Sequence, residues 1–260
     1  MNLPEDPSNQ NPIHKVLSTL ATHRVRTLLI GGQACVLYGA TEFSRDTDIA
    51  LQATPENLAS LTTALRSLNA RRIAIPPFDS AYLQKGHAVH FRCYHPDAFR
   101  MRIDVLSVMR GMDHFDELWH RRTRYQLPDV MTVEMLSLPD LVRSKKTQRD
   151  KDWPMIRRLV EAEYARTETP EEVHLSFWFR ESRTPRMLAE LASRHSDLAR
   201  QLTSMRPLLS LAIAGDESAL EEELEGEQKR EREADRQYWK PLIAELETLR
   251  QTTLQSEEDV

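Results

Sequence analysis

The sequence predicts a mixed α/β fold of the α+β kind, in which a small mixed sheet comes first and a helical domain follows. Two observations support this prediction. Between residues 12 and 108, apolar segments of strand length alternate with amphipathic segments at helical spacing. From Ser137 onward, the apolar residues recur almost wholly at helical spacing. We therefore expect a sheet-containing domain and then a helical domain.

The chain around the first glycine pair predicts a helix, a strand and a second helix. Apolar residues at helical spacing predict an amphipathic helix over 12–22. The apolar run 25–30 predicts a buried strand, and 33–38 a short helix that ends at Gly39. This order predicts a strand that turns directly into a helix at the glycine pair.

The following segments predict three more strands and one long helix. Residues 47–51 form the second predicted strand. Thr54 and Pro55 supply a capping hydroxyl and a first-turn proline for the helix after it. Residues 88–94 and 101–108 predict two strands joined by a turn. These strands complete the predicted sheet.

The second half of the chain carries helical patterns without a recognisable repeat. We predict a sheet-containing core over 12–135, a helical extension with a basic motif over 136–165, and a helical C-terminal domain over 166–254. The mixed-charge stretch near the C-terminus is typical of a solvated helix face.

Composition excludes several classes of protein. With 260 residues, 40% hydrophobic and 29% charged, the chain can bury a substantial core. A net charge of -5 argues against general adhesion to nucleic acid, although a local basic patch remains compatible with it. Two cysteines cannot form a disulfide framework, and no apolar stretch has the length of a membrane span. We expect a cytoplasmic protein with no membrane association.

Two short motifs carry the chemical information. Leu28-Leu29-Ile30-Gly31-Gly32 is an apolar strand that ends in two glycines, a place where bare backbone N–H groups favour phosphate. Asp46 and Asp48 alternate with Thr47, so an extended strand would present both carboxylates on one face. Such a pair suits Mg²⁺, which shares its remaining positions with water and substrate phosphates.

Asp104 is the third candidate carboxylate. On the predicted strand it lies on the face opposite Ile103 and Val105, and it would come from a strand next to the aspartate pair. Three carboxylates could hold two metal ions, and Asp104 could instead accept a proton from the attacking hydroxyl. The alternative is that the pair is a surface turn and Asp104 a charge at a strand edge.

These residues resemble the nucleotidyltransferase superfamily related to DNA polymerase beta. Ile30-Gly31-Gly32, Asp46-Thr47-Asp48 and Arg102-Ile103-Asp104-Val105 are similar to its motifs, and the resemblance covers residues 14–160. Within the superfamily, the chain resembles the AbiEii-type, type IV toxin group and its uncharacterised relatives. Those relatives carry a Ser or Thr where Ser44 stands and a Lys-rich helix where 141–152 stands.

The resemblance implies roles for further residues. Asp46, Asp48 and Asp104 would be the catalytic metal ligands for two Mg²⁺ ions. The residues that would contact the nucleotide are Gly31, Gly32, Ser44, Arg45, Lys145, Arg149, Lys151 and Asp152. Gly32 stands where many relatives have serine, so the triphosphate there must rely on N–H groups. Met155 stands where toxin relatives carry an acid, which weakens the transfer of toxin activity specifically to this chain.

The function predicted is transfer of a nucleoside monophosphate from an NTP to an acceptor hydroxyl, with release of pyrophosphate. The acceptor is left open between tRNA, a protein and a small molecule, and the resemblance to the toxin group implies a cognate antitoxin as a candidate partner. Two alternatives remain: a non-catalytic nucleotide-binding or regulatory protein that acts through its helical domain, and a metal-dependent nuclease. The glycine pair gives the nuclease little support.

Overall fold

The structure is a computed structural model, described over residues 11–41, 43–127 and 131–258. It divides into two compact units. The sheet unit consists of the described parts of Met1–Leu37, Phe43–Ser137 and Lys240–Val260, and the helical unit of the described parts of Tyr38–Glu42 and Leu138–Trp239. The mixed α/β class and the order of sheet before helices are confirmed.

The sheet unit contains seven strands within the described ranges, joined in one mixed sheet. The strands are β1 (Thr27–Ile30), β2 (Asp46–Leu51), β3 (Arg71–Arg72), β4 (Val89–Arg92), β5 (Arg102–Leu106), β6 (Thr123–Gln126) and β7 (Thr132–Met135). Their order across the sheet is β3-β4-β5-β2-β1-β7-β6. The pairs β2–β5 and β1–β7 are parallel, and the other neighbours are antiparallel.

Helices precede and connect these strands. They are α1 (Pro12–Thr22), α2 (Gly31–Leu37), α3 (Pro55–Ser67), α4 (Ser80–Lys85) and α5 (Phe115–His120). Helix α1 has the predicted bounds, and the Thr54 hydroxyl caps α3 by accepting from the Asn57 N–H at 3.3 Å. The strands predicted over 25–30, 88–94 and 101–108 are all shorter than expected. In the first of them, the Val25 N–H donates to the carbonyl of Leu20 and closes the end of α1. The strand therefore begins at Thr27.

One face of the sheet packs against helices and forms the apolar core with them. It buries residues of β2, β4 and β5 against residues of α1 and α3. The strand residues are Ile49, Leu51, Val89, Phe91, Ile103 and Val105, and the helix residues are Val16, Leu20, Leu61, Ala64 and Leu65. Alternation along each strand leaves the intervening residues on the opposite face, where the polar side chains of β2 and β5 lie.

The helical unit contains α6 (Leu138–Ser144), α7 (Asp152–Arg166), α8 (Glu172–Glu181), α9 (Pro185–Arg194), α10 (Ser196–Leu202) and α11 (Leu209–Ala214). Helix α12 (Glu217–Glu258) belongs to this unit as far as Trp239 and to the sheet unit from Lys240. Trp178 and Phe179 are fully buried core residues. No helix in the described ranges combines the length and apolar character that a membrane crossing requires.

A buried arginine closes the end of α8. Arg206 donates to the carbonyls of Phe179 and Ser182 at 2.8 and 3.0 Å, and both carboxylate oxygens of Glu227 accept from it. The last carbonyls of a helix have no partner within the helix, so this guanidinium satisfies them inside the unit. The sequence pattern gave no indication of this contact.

Candidate active site

The strand register places the three predicted carboxylates on one face of the sheet. Asp48 of β2 lies directly opposite Asp104 of the parallel neighbour β5. Directly opposed residues project to the same side of a sheet, and Asp46 shares that side because it lies two residues before Asp48. All three side chains lie on the face away from the apolar core and are partly exposed. The sheet thus brings together carboxylates that are more than 50 residues apart in the chain.

The residue between the two aspartates points into the core. Thr47 is 0% exposed, and its hydroxyl has no hydrogen-bond partner among the described residues. A buried polar group without a partner costs about 1–3 kcal/mol. We expect Thr47→Val to raise the free energy of unfolding by about 1 kcal/mol and to leave nucleotide binding unchanged, as measured by urea denaturation and calorimetry. A loss of stability would show that the hydroxyl has a partner in solution.

The glycine pair is packed against the carboxylate strand. Gly31, the first residue of α2, has φ of +66°, and a Cβ built on it would lie 1.9 Å from Asp48 Oδ2 and 2.7 Å from Asp48 Cβ. A Cβ on Gly32 would lie 2.4 Å from Ser44 Oγ. A side chain at position 31 would clash with Asp48, and one at position 32 would require Ser44 to shift. The backbone of the glycine pair therefore lies directly beside the aspartate pair.

Ser44 occupies the space that a side chain at position 32 would need. Its hydroxyl lies 3.4 Å from the carbonyl of Asp46, and Gln33 Nε2 donates to the carbonyl of Ser44 at 2.8 Å. A hydroxyl therefore stands beside the glycine pair, although Gly32 itself supplies none. The sequence analysis predicted Ser44 as a nucleotide contact; the fold places its hydroxyl beside the glycine pair, and its role toward phosphate stays a prediction.

Arg45 is the residue directly before Asp46 in the chain, and it is exposed. Its guanidinium carbon is 5.9 Å from the ring centroid of Phe43, which is 68% exposed. An exposed guanidinium at this place is accessible to an anionic ligand.

Two basic side chains hold Asp104. Arg102 Nε donates to Asp104 Oδ1 at 2.7 Å, and His90 Nδ1 lies 2.8 Å from the same oxygen. His90 Nδ1 is also 3.1 Å from Arg102 Nη2. One ring nitrogen cannot both donate a proton to Asp104 and accept one from Arg102. The shorter contact and the carboxylate charge favour a proton on Nδ1 that is donated to Asp104.

These contacts keep Asp104 ionised. Burial alone would raise the pKa of Asp104, but the hydrogen bonds from His90 and Arg102 outweigh it and lower the pKa below its ordinary value. The pKa of Arg102 is raised, chiefly by its hydrogen bond to Asp104. A carboxylate with a lowered pKa is a poor proton acceptor, so Asp104 is better suited to bind a cation than to act as a base.

Sequence reasoning did not assign His90 and Arg102 to the site. The position of His90 opposite Asp104 follows from the pairing of β4 with β5. The alternation of β4 already placed His90 on the face away from Val89 and Phe91. The antiparallel register was the missing information.

The Lys-rich segment differs from its prediction. Helix α6 ends at Ser144 and α7 begins at Asp152, so most of the expected helix over 141–152 is a connection between two helices. Lys151, the residue before α7, is exposed. The physical reason is local, because side-chain hydrogen bonds to a carboxylate replace the backbone bonds of a helix there.

That carboxylate is Asp152, which is 2% exposed. Lys145 Nζ lies 3.3 Å from Asp152 Oδ1, while Arg149 Nε and Thr147 Oγ1 donate to Asp152 Oδ2 at 2.8 and 2.6 Å. Burial raises the pKa of Asp152, but the charge of Lys145, the Thr147 hydroxyl and Arg149 together lower it below the ordinary value. The roles of Lys145, Arg149, Lys151 and Asp152 toward phosphate stay predictions.

This cluster predicts a large effect on stability. Asp152→Asn leaves the Lys145 ammonium, in a residue that is 8% exposed, without a countercharge, and we expect the free energy of unfolding to fall by about 3 kcal/mol. Because the folded-state pKa of Asp152 is lowered, its contribution is complete above the pKa of an unperturbed aspartate, about 3.9, and is lost as the pH falls through the lower folded-state value. The difference between the two proteins should therefore shrink in acid.

Denaturation at pH 7 and in acid measures both effects. The control is Arg157→Ala, which removes an exposed pair with Glu161 at 2.8 Å and should cost less than about 1 kcal/mol. Equal losses for the two variants would contradict the structural role given to Asp152.

The side chains on the carboxylate face are of the chemical type that binds magnesium. Carboxylate oxygens are the ligands that Mg²⁺ prefers, and Asp104 is held in the ionised form that a cation requires. In residues 11–41, 43–127 and 131–258, no three His, Cys, Asp or Glu side chains are arranged as a metal-binding group. Asp104 Oδ1 is instead engaged by Arg102 and His90. The metal ligands Asp46, Asp48 and Asp104 stay a prediction.

Comparison with known proteins gives little further information. No family model matches the chain, and no curated protein matches it. Among solved structures, one similar chain is the antibiotic-resistance factor ANT(2'')-Ia, studied in solution. It is 13% identical, with a TM-score of 0.34, over 82% of this chain and 94% of that chain. A likeness of this degree carries no argument about activity, so function must be argued from the geometry of the site.

Proposed function

We propose that this protein is a magnesium-dependent nucleotidyltransferase that moves a nucleoside monophosphate from an NTP to an acceptor hydroxyl. One observation carries the proposal. Asp48 and Asp104 stand opposite each other on parallel strands, with Asp46 on the same face and the Gly31 backbone against Asp48. Carboxylates bind the metal ions and backbone N–H groups bind phosphate, so the two together suit a metal–triphosphate complex better than they suit a free metal ion or a free phosphate.

In this proposal, Asp46, Asp48 and Asp104 hold the metal ions. Two bound Mg²⁺ ions would neutralise the charge of the triphosphate and favour ionisation of the acceptor hydroxyl. His90 and Arg102 keep Asp104 ionised and fix its orientation. The N–H groups of the glycine pair and the hydroxyl of Ser44 bind phosphate oxygens.

The proposed transfer replaces one bond at the α-phosphorus with another. The acceptor oxygen forms a bond to the α-phosphorus, and the bond from that phosphorus to the bridging oxygen breaks. Pyrophosphate leaves with the electron pair of that bond, and the acceptor proton passes to water. Exposed Arg45, which directly precedes Asp46 in the chain, would offset the charge of the pyrophosphate. Positioning and electrostatics carry most of the catalysis in reactions of this kind.

The test is incubation of the full chain with each α-labelled NTP, Mg²⁺ and total cell extract. We expect label to enter one class of acceptor, whether RNA, protein or small molecule, and the γ-labelled NTP to give no labelled acceptor. Chelation of the metal should abolish labelling. Binding of Mg-NTP by calorimetry without any labelled product would instead support a nucleotide-binding protein. Cleavage of RNA or DNA without NTP would support a nuclease.

A further inference from the structure

A row of arginines crosses the carboxylate face from the edge of the sheet. In the register of the strands, Arg71 of edge strand β3 is opposite Arg92 of β4, and Arg92 is opposite Arg102 of β5. Arg102 is in turn opposite Asp46 of β2. Directly opposed residues share a face, so the three arginines and Asp46 form one line. With strands about 4.8 Å apart, the arginines span about 10 Å.

Such a row is costly without an anion. Like charges directly opposite each other on neighbouring strands destabilise a sheet. Arg102 is neutralised by Asp104, but no carboxylate of the described ranges lies within ion-pair distance of Arg71 or Arg92. The chain as a whole carries a net charge of -5, so this local positive charge does not reflect a basic composition. Two uncompensated guanidiniums beside the candidate site indicate an anionic ligand.

An exposed aromatic pair lies at the same edge. Tyr94 and Phe99 are 39% and 60% exposed, and their ring centroids are 6.5 Å apart in an edge-to-face arrangement. The guanidinium carbon of Arg71 lies 5.2 Å from the Tyr94 ring centroid. Exposed aromatic rings next to cations offer a platform on which unpaired bases stack.

We propose that Arg71, Arg92, Tyr94 and Phe99, here called the edge surface, bind a single-stranded nucleic acid. Its phosphates contact the two arginines, an unpaired base stacks on the aromatic pair, and the strand leads along the arginine row toward Asp46. One consequence is that the acceptor hydroxyl belongs to a polynucleotide, and this consequence rests on the proposed function. A duplex would hide its base faces, and an acidic peptide would leave the aromatic pair unused.

Fluorescence anisotropy with a labelled single-stranded RNA oligonucleotide of mixed sequence tests the edge surface. The double variant Arg71→Ala/Arg92→Ala should lose about tenfold or more in affinity at low salt. The slope of log affinity against log salt should fall by about 1.4, because each neutralised phosphate of a single strand contributes about 0.7. Phe99→Ala should weaken binding of the single strand several-fold and leave binding of a duplex unchanged.

The matched control is Arg66→Ala/Arg157→Ala. Both residues are exposed, one on α3 of the core face and one on α7. This pair removes the same charge and should leave affinity and salt slope within twofold of the wild type. Equal weakening by the two double variants, or wild-type binding of duplex and single strand with equal affinity, would overturn the proposal.

Separate measurements distinguish this proposal from the proposed function. Arg71→Ala/Arg92→Ala should retain calorimetric binding of Mg-NTP, and Asp48→Ala should retain binding of the oligonucleotide. Nucleotidyl transfer by a wild type that binds no single strand would overturn the edge surface alone. Binding of the oligonucleotide at the edge surface without any NTP binding would overturn the proposed function and leave the edge surface standing.

Discussion

Replacing Asp48 with asparagine is expected to lower the rate of nucleotidyl transfer by about 10³-fold. The change removes the charge of a proposed metal ligand opposite Asp104, and loss of about 4 kcal/mol of transition-state stabilisation corresponds to that factor. The fold should survive, because a neutral residue here reduces repulsion within the carboxylate cluster. Labelled transfer, calorimetric binding of Mg²⁺ with NTP, and thermal denaturation measure the three consequences.

The neighbouring residue supplies the control for this prediction. Thr47→Val alters the same strand but points into the core, so it should leave transfer unchanged. Full transfer activity in the Asp48→Asn variant would contradict the proposal that the aspartate pair binds metal. Equal loss of transfer in the two variants would mean that the strand, and not its carboxylate face, determines activity.

Replacing Gly31 with alanine should affect both stability and activity. A Cβ would lie 1.9 Å from Asp48 Oδ2 and 2.7 Å from Asp48 Cβ, so rotation of the aspartate side chain cannot relieve the clash. Backbone strain at φ of +66° adds to this cost, and we expect a loss of about 3 kcal/mol in the free energy of unfolding. Displacement of Asp48 by about 1 Å would lower transfer by about 100-fold.

Gly215→Ala separates strain from contact. Gly215 has φ of +73°, but a Cβ there would meet nothing within 4 Å. This control carries the backbone strain alone and should cost about 1–2 kcal/mol with full activity. If Gly31→Ala and Gly215→Ala lose equal stability and both remain active, the glycine is required only for its conformation.

Strands β2 and β5 show most clearly which structural features could be predicted from the sequence. Alternation of apolar and polar residues along each strand was sufficient to place Asp46, Asp48 and Asp104 on the faces opposite the core residues. Apolar residues at helical spacing were sufficient to set the bounds of α1, and the capping residue Thr54 with Pro55 was sufficient to set the start of α3. These features depend on contacts within a few residues, which a local pattern contains.

The Lys-rich segment shows where local pattern fails. Its composition resembles a helix, but Asp152 recruits Lys145, Thr147 and Arg149 as hydrogen-bond and ion-pair partners. A buried carboxylate gains more from these partners than the segment gains from two helical turns, because leaving the charge unpaired would be very costly. Nothing in the spacing of the basic residues indicated that Asp152 would be buried.

The sequence by itself was sufficient to predict the fold class and to identify the glycine pair, the aspartate pair and the third carboxylate, because each depends on residue types and short periodicities. The sequence predicted that the strand of Asp104 neighbours the aspartate pair, but the tertiary structure alone decided the register of that pair and the other strand pairings. That pairing sets Asp48 against Asp104, brings His90 and Arg102 to the same carboxylate, fills the space at Gly32 with Ser44, and lines up Arg71 and Arg92 with the site. Strand register depends on the packing of residues far apart in the chain, which local pattern cannot specify.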